Sequence, residues 1–105
     1  MSVSVNNENF EAEVLSAKGI VLADFYSETC GPCKRMSPVL AELEDDYSSE
    51  IKLAKINVNS DGELAVKYEV QAVPTIIFFK NGKEASRIVG AVNKTEISSK
   101  IDELN

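Results

Sequence analysis

Ile20-Val21-Leu22-Ala23-Asp24-Phe25-Tyr26, continuing through Ser27-Glu28-Thr29 into Cys30-Gly31-Pro32-Cys33, is the stretch on which the fold turns. Its first part is a near-continuous apolar run bounded by Gly19 and by the polar Ser27-Glu28-Thr29, the pattern of a strand covered on both faces. A single charge, Asp24, interrupts it. Beyond the cysteines, Met36, Val39, Leu40, Leu43 and Tyr47 recur at helical intervals and define one apolar stripe. A buried strand therefore runs into an amphipathic helix, with both cysteines at the junction. Pro38 lies within that helix, where it lacks a backbone donor and crowds the preceding turn.

Working outward from this unit, the N-terminal side predicts a short strand at Val3 to Val5 and a helix from Asn7 to about Lys18, carried by Phe10, Val14 and Leu15 and stopped by Gly19. On the C-terminal side, Ile51 to Val58 reads as a strand and Glu63 to Tyr68 as a short helix. Thr75-Ile76-Ile77-Phe78-Phe79 is the most strand-like segment, and Asn81-Gly82 behind it suits a tight hairpin in which both positions need positive φ. A returning strand through Ile88 and Val89 must then pair antiparallel. Asn93-Lys94-Thr95-Glu96 resembles a capping box ahead of Ile97, Ile101 and Leu104, which predicts a terminal helix. This order implies the α/β class: a mixed sheet with helices on both faces, parallel pairing early and an antiparallel hairpin late.

A chain of 105 residues can close one core but not two, so a single domain over residues 1–105 is expected. Eleven basic against 17 acidic residues leave a net charge of −6, which repels nucleic acid and anionic lipid. The opening residues lack the basic and apolar regions of a secretory signal, and no stretch approaches the ~20 apolar residues of a membrane span. A soluble cytoplasmic protein, monomeric by default, is the expectation. Two cysteines are too few for a disulfide-stapled scaffold, and with no histidine they supply only half of a structural zinc site, so no metal is expected.

The position of Cys30 and Cys33 decides their chemistry. Unpaired N–H groups and the dipole at a helix N-terminus favour an anion, so a thiolate there forms more readily than at the free-cysteine pKa of about 8.5. Residues three apart on a helical turn can also form a disulfide without large backbone movement, and so small a ring braces the fold very little. Pro32 has no N–H to lose in the first turn, and Gly31 leaves room for another backbone beside the Cys30 sulfur. A redox-active dithiol is the favoured reading; a static bridge, half of a zinc site shared between two chains, and two inert thiols are the others. Asp24, in an apolar strand, should have a raised pKa suited to proton exchange near neutrality, unless it merely reaches solvent at the strand end.

Asp24-Phe25, Cys30-Gly31-Pro32-Cys33-Lys34, Pro38, Lys55, Val73-Pro74-Thr75, Asn81-Gly82 and Val89-Gly90-Ala91 together resemble the thioredoxin family in order and approximate spacing, over essentially the whole chain. The resemblance implies a thioredoxin fold, a central five-stranded mixed sheet flanked by four helices, and the activity of a general protein disulfide reductase. It also implies that Cys30 is the nucleophile that attacks a substrate disulfide, that Cys33 is the resolving thiol, and that the product is a Cys30–Cys33 disulfide. Asp24 is similar to the family's buried acid that helps deprotonate Cys33, and Lys55 matches the lysine beside it, with a solvated strand lysine as the alternative.

By the same resemblance Pro74 is cis and faces the sulfurs, so that the Val73 backbone can pair with an extended substrate segment. Val73, Pro74, Gly90 and Ala91, with Gly31 and Pro32, then form a small apolar docking surface. The implied partners are disulfide-containing proteins and a separate thioredoxin reductase. No nucleotide-binding glycine fingerprint is present, so no cofactor is expected and the electrons must come from another protein. One departure stands out. The family usually has Trp immediately before the first cysteine and another three residues earlier, whereas this chain has Thr29 and Tyr26 and no Trp at all, which bears on partner recognition rather than on thiol chemistry.

Overall fold

The computed structural model describes residues 2–105. Five strands, β1 (Val3–Val5), β2 (Ile20–Tyr26), β3 (Ile51–Asn57), β4 (Thr75–Lys80) and β5 (Lys83–Val89), form one sheet in the order β1-β3-β2-β4-β5. β1 and β2 each pair parallel with β3, while β4 runs antiparallel to both β2 and β5. The apolar run Ile20–Tyr26 is thus the central strand, and its burial on both faces is why it reads as continuous rather than alternating.

Three α-helices, α1 (Gly31–Tyr47), α2 (Gly62–Lys67) and α3 (Lys94–Leu104), and a π-helical segment at Glu11–Leu15 cover the sheet. Alternate residues of each strand enter opposite cores. Val21, Ala23, Phe25, Ile77 and Phe79 face Phe10, Val14 and the Leu64-Ala65 pair of α2. Ile20, Leu22, Ile76 and Phe78 face Met36, Leu40 and Leu43 of α1 and Ile97 and Ile101 of α3. Asp24 and Lys55, directly paired across β2 and β3, belong by their even and odd positions to the second face, under α1. α1 runs unbroken through Pro38. Among the described residues no helix is long and apolar enough to cross a membrane.

The first helix is shorter than its periodicity predicts. Asn6 starts it, its side-chain Oδ1 accepting from the Glu8 and Asn9 amides, but only Glu11–Leu15 forms a regular helical segment, closed by the wide Ser16 N–H to Glu11 carbonyl bond of 2.8 Å. That extra residue per turn ends the segment early, and Gly19 (φ +81°) then turns the chain into β2. The hairpin is built as the sequence requires: Asn81 and Gly82 both have positive φ (50° and 84°). Asn81 also clamps Gly19, accepting from its N–H through Oδ1 at 2.8 Å and donating to its carbonyl at 2.9 Å. α3 is capped by Asn93, whose Oδ1 accepts from the Glu96 amide at 2.9 Å.

Candidate active site

β2 ends at Tyr26, and the three-residue turn Ser27-Glu28-Thr29 delivers Cys30 to the N-cap of α1. The Cys30 backbone is extended there (φ −92°, ψ 109°), and its Sγ accepts from the Cys33 amide at 3.1 Å. This amide is one of the donors the first turn of a helix cannot satisfy internally, so a partial or full negative charge on the Cys30 sulfur is favoured at this point. The two cysteines are joined in a disulfide, with Cα atoms 5.2 Å apart. Cys30 is half-buried and Cys33 is buried, only 7% exposed. An incoming reactant meets Cys30 first.

The loop before β4 faces the same sulfur. The Val73–Pro74 peptide bond is cis, and the Val73 carbonyl oxygen lies 3.7 Å from Cys30 Sγ. The Thr75 hydroxyl, buried, donates to the Ala72 carbonyl at 2.6 Å and fastens the loop from within. The Gly90 amide donates to the Pro74 carbonyl at 2.8 Å, and its φ of +91° is one that a glycine adopts readily. These bonds bring Val73, Pro74 and Gly90 together beside Cys30; Gly31 and Ala91 are exposed.

Behind the disulfide a cleft of about 300 Å³ is lined by Asp24, Tyr26, Cys33, Lys34, Ser37 and Lys55, among others. Asp24 is 4% exposed. Burial pushes its carboxyl up from an ordinary 3.8 to about 6, and the positive charge of Lys55 pulls back against that rise. Its Oδ1 is buried without a hydrogen-bond partner. Lys55 is not simply a solvated strand lysine: its ammonium donates to Ser37 Oγ at 3.2 Å and stands 5.9 Å from the centre of the Tyr26 ring.

Two features were not read from the sequence. Ser37 follows Cys33 by four residues and therefore shares its helix face, a spacing signal that was available. The turn before Cys30 is held by a polar network instead of aromatic packing. Asn57 Nδ2 donates to Glu28 Oε1 at 3.1 Å, Asn59 Nδ2 donates to Ser27 Oγ at 3.3 Å, and the Ser27 and Thr29 hydroxyls are 3.3 Å apart. The Thr29 hydroxyl is thus turned to Ser27. Only the β2–β3 pairing, which sets Tyr26 opposite Asn57, brings these groups within reach of one another.

The thioredoxin family model matches residues 1–103. The chain is similar to thioredoxin C-2 of Corynebacterium nephridii, 39% identical over 101 residues that span 96% of this chain and 94% of that protein. It is equally similar to the thioredoxin of Pseudomonas aeruginosa, 39% identical over 100 residues covering 95% and 93% of the two chains. Thioredoxin 2 of Chlorobaculum tepidum is 38% identical over 97 residues, 92% of this chain and 89% of that one.

Proposed function

Because this chain belongs to the thioredoxin family and is a protein disulfide reductase, we propose that the reaction is divided between Cys30 as nucleophile and Cys33 as resolving thiol. The difference in exposure between the two sulfurs, with the Cys33 amide directed at Cys30 Sγ, is the observation that carries this assignment. In the reduced protein the Cys30 thiolate attacks one sulfur of a substrate disulfide. That bond breaks, the second substrate sulfur leaves as a thiolate and takes a proton from solvent, and a mixed disulfide remains. Asp24 then accepts the Cys33 proton by way of the cleft they share, and the Cys33 thiolate attacks Cys30 Sγ. The first substrate sulfur departs as a thiolate and becomes a thiol by taking a proton, either the one Asp24 now holds, through the cleft, or one from solvent. Two electrons have passed to the substrate, and the Cys30–Cys33 disulfide is the product.

Val73, Pro74, Gly90 and Ala91, with Gly31 and Pro32, form the docking surface in this reading. An extended substrate segment pairs with the Val73 backbone and lies along the small residues beside Cys30. Lys55 serves Asp24 from the next strand. A separate thioredoxin reductase returns the electrons, and the protein works as a single domain and a monomer in the cytoplasm. Trapping tests the division of labour: Cys33→Ser should accumulate substrates as mixed disulfides through Cys30, released by dithiothreitol, and Cys30→Ser should not. Trapping by both variants or by neither would overturn the assignment.

A further inference from the structure

Lys55 and Asp24 face each other across neighbouring strands, yet the ammonium is engaged elsewhere. Register places them side by side on the face covered by α1. A lysine stem could carry its charge onto the carboxylate, where a nearly buried opposite charge offers a strong partner. Instead Lys55 Nζ donates to Ser37 Oγ at 3.2 Å and lies over Tyr26 at 5.9 Å, while Asp24 Oδ1 has no hydrogen-bond partner at all. Two side chains from two elements, a helix hydroxyl and a strand-end aromatic face, hold the one cation between them.

We propose that Ser37 and Tyr26 are positioning residues that hold the Lys55 ammonium off the Asp24 carboxyl. An ammonium seated on Asp24 would stabilise the carboxylate and leave the proton too loosely held to be exchanged at neutral pH. An ammonium kept at a small distance moderates the cost of burying that charge without cancelling it. The charged and titratable groups around Asp24 in the cleft are Lys55 from β3, Tyr26 and Glu28 from the end of β2 and its turn, and Cys33 and Lys34 from α1. β4 contributes Ile76, which carries no charge. Ser37 and Tyr26 therefore act on Asp24 through Lys55. The catalytic consequence rests on the reading of Asp24 as the acid that serves Cys33; the geometry does not.

Titration of the Asp24 carboxyl, followed by ¹³C NMR of the oxidised full-length protein, separates the two. In Ser37→Ala the released ammonium settles on Asp24, and the midpoint should fall by roughly one pH unit, the lower end of what an opposite charge in contact produces. Ser37→Thr keeps the hydroxyl and should keep the wild-type midpoint. Lys55→Met removes the cation and should raise the midpoint, and in that background Ser37→Ala should move nothing, which a merely structural effect of Ser37 would not reproduce. An unmoved or raised midpoint in Ser37→Ala, or the same fall with Lys55 absent, would overturn the proposal. If instead the NMR shifts follow as described but Asp24→Asn leaves the rate of mixed-disulfide resolution unchanged, the positioning stands and the role of Asp24 in the reaction fails.

Discussion

Replacing Asp24 by Asn should stabilise the oxidised protein, and by an amount that depends on pH in a defined way. The carboxyl is raised in the folded protein from 3.8 to about 6, chiefly by burial. Below about 3.8 it is protonated in both the folded and the unfolded chain and carries no penalty. Between 3.8 and about 6 the folded protein holds a proton that the unfolded chain has released, so stability falls as pH rises. Above about 6 the folded protein bears a buried charge and the loss is complete. At about 1.36 kcal/mol for each pH unit, the interval from 3.8 to about 6 corresponds to roughly 3 kcal/mol. That is a large share of the ~5–15 kcal/mol that holds a domain of this size folded. Asparagine keeps the shape and stays neutral, so urea unfolding should find Asp24→Asn more stable by roughly 2–3 kcal/mol at pH 8. At pH 3.5 the difference should vanish, because wild type is then neutral at this position as well. Equal stability at pH 8, or an unchanged slope between pH 4 and 7 in the variant, would refute the claim that Asp24 pays a desolvation cost in the folded state.

Other perturbations reach different parts of the molecule. Gly82→Ala must place a methyl against the Leu15 carbonyl while holding φ near +84°, and a loss of at least about 2 kcal/mol should appear in chemical unfolding. Asn93→Ala removes the acceptor for the Glu96 amide at the start of α3 and should cost about 1 kcal/mol in the same assay. Phe78→Ala empties a fully buried site between the sheet and the α1–α3 layer, and a loss of roughly 3–5 kcal/mol is expected. Ala91→Glu leaves the sulfurs untouched but puts a charge on the proposed docking surface; kcat/KM should fall several-fold with a protein disulfide substrate and stay near wild type with a small-molecule disulfide.

Much of this protein can be read in one dimension because its strongest signals are local. The strand at Ile20–Tyr26 announces itself by unbroken apolar character, α1 by its stripe, and the hairpin by Asn81-Gly82, whose positive φ values few other pairs accept. The N-terminal helix is shorter than its periodicity predicts because Phe10, Val14 and Leu15 mark the face that is buried and say nothing about which carbonyl the Ser16 amide will choose. The bond made by Ser37 is not legible in the sequence, since a serine on an exposed-to-buried boundary of a helix looks like ordinary surface until its Lys55 partner from β3 is in place.

The sequence alone determined the order of strands and helices, the hairpin, the caps and the reactive pair at a helix start, all of which depend on residues within a few positions of one another. Tertiary structure decided the rest. It set Val73, Pro74 and Gly90 against Cys30, and placed Lys55 on Ser37 rather than on Asp24. These contacts join residues far apart in the chain, and their energies depend on burial and on the choice among competing partners. Neither quantity exists until the sheet has closed and α1 has docked over it.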